Sequence, residues 1–393
     1  MNAVMNAAMN AALHREHLKT ARRVVVKFGT RVLVNARGRP STERLQAIVD
    51  QVAALHAQGR EVVIVSSGAV GAGLDPLNFA TRPTNLAGLQ MAAAVGQTRL
   101  MSMYAERFAK KGITVGQVLL NHDDLKQRNR HLNARNTLLG LLHKRVVPIV
   151  NENDVVSVDE IRLGDNDFLA ALVTVLVDAD ALLLCTSVNG LRAPAGPKRS
   201  KRVPFLSKVT QKELDLVFGK GSALSTGGMG TKLEAARMAY RAGIPAIIAD
   251  GRKPDTLVRV LAGEDTGTLL GPAMDEGRIH GKRKHWIAFF HRPSGEVVVD
   301  AGARGALVEK GRSLLAAGVR EVRGNFPTGA LVHVLDPDGT ILAAGLCEFS
   351  SQNLQRILGK PSREILDILG PAVSTEVIHR DNMVILLEPE HEQ

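Results

Sequence analysis

The sequence predicts an α/β domain built on a largely parallel sheet, followed by a smaller β-rich domain. Three observations carry this. Between Val24 and Ala249, short β-branched runs alternate with longer segments of helical period, as strands joined by crossover helices do. Near residues 265–284 the texture turns to Gly, Pro and charge without periodicity, as in a linker. After Trp286 the apolar runs become short and closely spaced. The 393 residues thus divide into an N-terminal extension at 1–20, a main domain at 21–275, a linker at 276–285, and a second domain with its tail at 286–393.

Taken in order, residues 1–20 repeat Met-Asn-Ala and hold no strongly apolar run, which argues against an export signal; the stretch reads as a frayed, disordered extension, with an acid-poor amphipathic targeting helix as the alternative. Val24-Val25-Val26-Lys27-Phe28 reads as a buried strand. Ser41 caps a helix whose Leu45, Ile48, Val49, Val52 and Leu55 share one face, and Gly59 ends it. Strands at 61–65, 114–120, 146–150, 181–185 and 245–249 alternate with helices at 86–108, 132–144, 166–177 and 231–242. A Pro-, Lys- and Arg-rich stretch running to Pro204 reads as an exposed loop, and the Gly-rich run 219–230 leads into the last of these helices. In the second domain, strands at 296–300, 330–335, 340–347 and 383–387 and helices at 301–310 and 353–358 make a compact module.

Composition narrows the function. The chain is 45% hydrophobic and 23% charged, enough for a buried core, and its net charge is +11. The basic excess sits in residues 1–60, net +7, and in the loop 192–202, net +5, whereas residues 280–393 carry net −1. A nucleic-acid binder spreads basic charge over a domain face, and with 3% aromatic residues few base-stacking platforms exist, so nucleic acid is not the expected partner. A site for a small anion explains the charge equally well. No apolar run approaches the ~18 residues of a membrane span, and two cysteines, Cys185 and Cys347, make neither a zinc site nor a disulfide framework; a reduced cytoplasm fits best.

The chemistry-bearing residues follow strands, where ligands of open α/β sheets bind. Lys27-Phe28-Gly29-Thr30 puts a lysine at a strand end and a glycine where backbone can approach a phosphate; a surface lysine is the bland alternative. Ser66-Ser67-Gly68-Ala69 offers free N–H groups to an anion, or is a plain βα turn. Asn151-Glu152-Asn153-Asp154 and Gly164-Asp165-Asn166-Asp167 hold more short acidic and amide side chains than turns and a helix cap require, which suits recognition of an amino group. Thr226-Gly227-Gly228-Met229-Gly230-Thr231-Lys232 is not a Walker A loop, yet backbone N–H groups and a lysine at a helix start suit phosphate; a flexible linker is the alternative.

These motifs, with Leu132-Asn133-Ala134-Arg135, stand in the order seen in the glutamate 5-kinase group of the amino-acid kinase family, which the chain resembles over about residues 21–390. The C-terminal module, with Arg283-Lys284-His285-Trp286, Gly324-Asn325-Phe326 and His379-Arg380-Asp381, resembles a PUA domain. The resemblance implies the α/β sandwich of the amino-acid kinases and transfer of the ATP γ-phosphoryl group to the side-chain carboxylate of L-glutamate, the first step of proline biosynthesis, with ATP and Mg2+. By similarity Lys27 and Lys232 flank the transferring group and Asp165 holds the lysines. Ser67, Asp154, Asn166, Asn151 and Asp167 bind glutamate, with Asp154 the partner of its ammonium. Gly29, Thr186, Ser187, Thr226, Gly227, Gly228, Met229, Gly230 and Thr231 join the two lysines around the nucleotide. No general base is needed, because the attacking carboxylate is already ionised at neutral pH. A homo-oligomer, feedback by proline and hand-over to glutamyl phosphate reductase are implied in the same way. The chain departs from the family pattern at Arg31, at Ser187, where an Asp is expected, at Arg192, where a Tyr is expected, and at Gly230, where a Ser is common. Three other readings stand at this point: a related kinase acting on another carboxylate or on carbamate, an RNA-binding PUA protein, and a kinase-like regulatory paralogue with a degenerate nucleotide site.

Overall fold

The computed structural model describes residues 2–156, 165–193, 200–207, 228–271, 293–370 and 375–387. The chain opens with α1 (Asn2–Thr20), β1 (Arg23–Phe28), α2 (Thr30–Leu33), α3 (Thr42–Ala57) and β2 (Glu61–Ser66). Next come α4 (Ala69–Gly73), α5 (Leu86–Ala109), β3 (Val115–Leu120), α6 (His122–Lys126), α7 (Arg128–His143) and β4 (Val147–Glu152). Then follow α8 (Asp165–Leu176), β5 (Ala181–Thr186), and the two-residue strands β6 (Arg192–Ala193), β7 (Lys201–Arg202) and β8 (Phe205–Leu206). The first unit closes with α9 (Met229–Arg241), β9 (Ala246–Asp250), α10 (Thr256–Leu261) and β10 (Thr268–Leu270).

Eight strands form one sheet in the order β3-β4-β2-β1-β5-β9-β10-β8. β1, β2, β4, β5 and β9 are Val-, Ile-, Leu- and Ala-rich and buried almost end to end, as strands covered on both faces are. They pair in parallel, and Lys27 lies in register with Val65 of β2 and Leu184 of β5. The strand order runs away from β1 in both directions. That reversal between β1 and β5 opens a crevice at the carboxyl ends of the strands, where ligands of such sheets bind. The sheet is largely rather than wholly parallel: β10 is antiparallel to β9, and β8 pairs with β10. These edge strands escape a sequence reading because two or three residues carry no period.

Two close approaches fix the elements beside the crevice. A Cβ on Gly96 of α5 would lie 1.8 Å from the Ala69 carbonyl oxygen, and one on Gly73 of α4 would lie 1.9 Å from that of Ala92. Only glycine permits this contact between α4 and α5. Gly68, at φ 107°, supplies the left-handed turn from β2 into α4.

The N-terminal residues correct an expectation. Residues 2–20, predicted as a disordered extension, are helical. Leu18 and His14 are buried, and the His14 ring stacks on Phe205. Arg15 bonds the Glu264 carbonyl and pairs with Asp265. Arg60 donates to the carbonyls of Leu18, Lys19 and Ala21, at and just past the helix C-terminus, where the last carbonyls outrun the intrahelical donors. The partners come from positions 60, 205 and 264–265, so no local pattern in residues 1–20 announces them.

The chain divides into units Met1–Arg278 and Ile279–Gln393, and the linker expected at 276–285 lies outside the described residues, as does Trp286. The second unit contains β11 (Gly295–Val299), α11 (Ala301–Val308), β12 (Leu314–Leu315), β13 (Val319–Arg323), β14 (Leu331–Leu335) and β15 (Ile341–Leu346). It continues with α12 (Ser351–Arg356), α13 (Ser362–Leu369), β16 (Glu376–Ile378) and β17 (Met383–Ile385). A five-stranded sheet, β13-β11-β14-β15-β17, carries the core of Val297, Val299, Val332, Val334, Leu342 and Phe326. The expected strands are present. β13 is additional: Val-Arg-Glu-Val-Arg is an edge strand whose charged residues conceal it from hydrophobic patterning.

Candidate active site

The first turn of α8 meets the end of β1 and the start of α9 over the crevice. Asp167 of α8 is 1% exposed and lies between two lysines that are 205 positions apart in sequence. Lys27 Nζ of β1 is 2.6 Å from Asp167 Oδ1, and Lys232 Nζ of α9 is 2.9 Å from Oδ2. Thr231 Oγ1 also donates to Oδ2 at 2.8 Å, and Lys232 donates to the Gly228 carbonyl at 3.0 Å. Lys27 is 4% exposed and Lys232 8%. Burial pushes the Asp167 carboxyl up, but the two ammonium groups outweigh it and hold the carboxyl below its ordinary range. Burial lowers the Lys27 ammonium, and Asp167 offsets this only in part. One carboxylate between two ammonium groups leaves a local charge of +1, directed at whatever anion enters.

This arrangement reassigns one role. The resemblance gives Asp165 the place between the lysines and puts Asp167 on the substrate, whereas the bridging carboxylate is Asp167. Asp165 begins α8, and its side chain lies outside the described residues.

Beside the lysines runs a row of amides. Asn166 Nδ2 donates to Ser67 Oγ at 3.1 Å and to Asn151 Oδ1 at 3.0 Å, so the loop after β2 and the carboxyl end of β4 meet the start of α8. Asn151 Nδ2 in turn donates to Gln97 Oε1 of α5 at 2.8 Å. Ser67, Asn151 and Asn166, which the sequence offers in three separate motifs, are therefore one cluster. Gln97 carries no such signal: it lies mid-helix with no strand before it, and only the packing of α5 on α4 brings it here. Asp154 follows β4, half-buried; burial pushes its carboxyl up to about 6, with Arg82 opposing.

The nucleotide residues are less complete. Thr226 and Gly227 lie outside the described residues. Gly228, at φ 86°, caps α9, with Met229, Gly230, Thr231 and Lys232 in its first turn, where free backbone N–H groups attract anions. A Cβ on Gly29 would sit 3.5 Å from Lys27 Nζ, so this glycine keeps the space beside the ammonium open. Thr186 ends β5, and the Ser187 carbonyl accepts from Arg252 Nη2 at 2.6 Å. That guanidinium also grips Asp250, at the end of β9, through Nε and Nη2. The Cys185 thiol is buried, pushed up to about 12, and inert as a nucleophile. Arg31 is exposed on α2.

The sequence pattern of the amino acid kinase family runs through residues 22–250, and that of the PUA domain through residues 295–369. The chain belongs to the amino acid kinase family and carries a PUA domain as its second unit. Among curated relatives it is 48% identical over 377 residues to the glutamate 5-kinase of Geobacter sp. (strain M21), covering 95% of this chain and 100% of that one. It is 47% identical over 374 residues to the glutamate 5-kinase of Chromohalobacter salexigens, covering 95% and 98%. With the glutamate 5-kinase of Moorella thermoacetica the identity is 44% over 371 residues, covering 94% and 97%.

Proposed function

We propose that this chain transfers the γ-phosphoryl group of ATP to the side-chain carboxylate of L-glutamate, forming glutamyl 5-phosphate at the start of proline biosynthesis. The observation that carries the reading is the convergence of Lys27 and Lys232 on Asp167. A carboxylate oxygen of glutamate attacks the γ-phosphorus, the bond to the β,γ-bridging oxygen breaks, and ADP leaves with the electron pair. No proton moves in this step, so the site needs no general base. What it needs is alignment of the two reactants and positive charge facing the equatorial oxygens of the moving group. The surplus +1 of the two lysines supplies that charge in a buried setting, where it acts strongly. Asp167 holds both ammonium groups at fixed positions, so little reorganisation accompanies reaction.

Glutamate is held by Ser67, Asn151 and Asn166, with Asp154 against its ammonium. The first turn of α9 receives nucleotide phosphates, and Gly29 leaves them room beside Lys27. Mg2+ would enter with the nucleotide, bound through its phosphate oxygens and water, and would supply further positive charge there. Retention of both lysines and their bridging carboxylate speaks against a regulatory paralogue, and the 48% identical relative favours the kinase over an RNA-binding protein.

The test is hydroxamate formation in hydroxylamine, dependent on both ATP and glutamate. The wild type should give product, and Lys232→Ala should lose about a hundredfold or more in kcat, the scale of one preorganised electrostatic contact. No wild-type product, or undiminished product from the variant, overturns the reading. The same reading expects a cytoplasmic homo-oligomer, inhibition by proline and passage of the labile acyl phosphate to glutamyl phosphate reductase. Light scattering and rates with added proline test the oligomer and the inhibition.

A further inference from the structure

The amide row has a direction. Asn166 donates to Asn151, and Asn151 donates to Gln97, each through its Nδ2. Turning any one amide over would set donor against donor or acceptor against acceptor, so the row holds its members in one orientation. Two atoms are left over. Gln97 Nε2, a donor, and Asn166 Oδ1, an acceptor, are buried and have no hydrogen-bond partner among the described residues. Buried amide atoms rarely go unpaired, and a free donor and a free acceptor beside a candidate substrate site are positions a bound substrate can fill.

We propose that Gln97 is a specificity-determining residue that receives the α-carboxylate of the amino-acid substrate on Nε2. The inference rests on the glutamate-kinase reading and deepens it. Glutamate presents three charged groups. Its side-chain carboxylate must face Lys27 and Lys232 for reaction. Its ammonium only donates, and matches the acceptors Asp154 and Asn166 Oδ1. Its α-carboxylate only accepts, and within the amide row, among the described residues, the buried donor left unpaired is Gln97 Nε2. The row therefore reads the polarity of the substrate: an acceptor for the ammonium at one end and a donor for the carboxylate at the other. Gln97 is held in place from behind, because the neighbouring Gly96 packs against the Ala69 backbone without room for a methyl group.

The experiment compares L-glutamate with 4-aminobutyrate, which keeps the ammonium and the reacting carboxylate but lacks the α-carboxylate. Gln97→Met should raise the KM for glutamate about tenfold or more, the worth of a hydrogen bond to a charged group, with kcat nearly retained. The inhibition constant of 4-aminobutyrate, measured as a competitor of glutamate, should stay within about twofold, because the analogue never made the contact. Gln97→Glu keeps an acceptor for Asn151 and sets an anion against the α-carboxylate, so its glutamate KM should rise further, again with the analogue spared. It serves as the independent readout if Gln97→Met fails to fold. A parallel weakening of both ligands, or an unchanged glutamate KM, overturns the assignment while leaving the kinase reading intact. A wild type that makes no acyl hydroxamate overturns the kinase reading itself, and this inference with it.

Discussion

Replacing Asp167 by asparagine removes one negative charge and almost no volume. It leaves Lys27 and Lys232, 4% and 8% exposed, facing each other without a counter-ion. Both lost pairs are short, 2.6 and 2.9 Å, and the carboxylate is 1% exposed, so solvent cannot replace it. Breaking a buried ion pair by removing one partner costs about 3–5 kcal/mol. For a domain of this size that lowers Tm by roughly 10 °C. The pH dependence has a definite sign. Lys27 is already lowered by burial, and losing Asp167 removes what raises it. A lysine lowered in the folded state binds fewer protons folded than unfolded, so stability rises with pH through that window. The Asp167→Asn variant should therefore lie closest to wild type at high pH and furthest from it at low pH. Activity should fall about a hundredfold to a thousandfold in kcat/KM, since the lysines lose their fixed positions. Differential scanning calorimetry between about pH 6 and pH 9 and the hydroxamate assay read these effects. A variant that melts within about 1 °C of wild type and keeps its rate within about threefold would refute the bridging role. Asp165→Asn, made alongside, should fall well short of these losses if Asp167 is the residue that holds the lysines.

Asp154, pushed up to about 6, should make the KM for glutamate climb as pH falls through about 6, because its protonated form no longer attracts an ammonium. Its raised carboxyl binds a proton more tightly folded than unfolded, so it costs stability as pH rises from about 4 to about 6; Asp154→Asn should melt above wild type at about pH 8 while glutamate saturation is lost. Gly29→Ala should fold normally, with φ −73° and its new methyl 3.5 Å from Lys27 Nζ, gaining about 0.4–1 kcal/mol in stability but raising the KM for ATP in steady-state kinetics. Leu18→Ala should cost about 3 kcal/mol in denaturant titration, whereas truncation of a disordered tail would cost nothing.

What each residue reveals in sequence depends on how local its task is. Lys27 and the β1 run are visible because a buried parallel strand is written in consecutive apolar residues. Ser41 at the start of α3 is visible because a cap acts within three residues, and its hydroxyl does accept from the Arg44 N–H. The clusters around Asn151 and Asp167 stand out as polar groups in excess of what turns need. Their division of labour does not, since Asp165 and Asp167 are equivalent until the winding of α8 places one of them against Lys27. Gln97 gives no sign at all, being one amide in a long helix. The helix at residues 2–20 reads as a loose extension because everything that holds it arrives from positions 60 and beyond.

The sequence by itself determined the alternation of strands and helices, the two-domain division and the loops that carry the chemistry, because hydrophobic period and turn chemistry are local properties of the chain. Only the tertiary structure decided that Lys27 and Lys232 share one carboxylate, that this carboxylate is Asp167, and that Ser67, Asn166, Asn151 and Gln97 form a single directed row. Those are relations between side chains tens to hundreds of residues apart. Hydrogen bonds and ion pairs are set by ångström-scale distances that come into being only when β1, α5, α8 and α9 pack together.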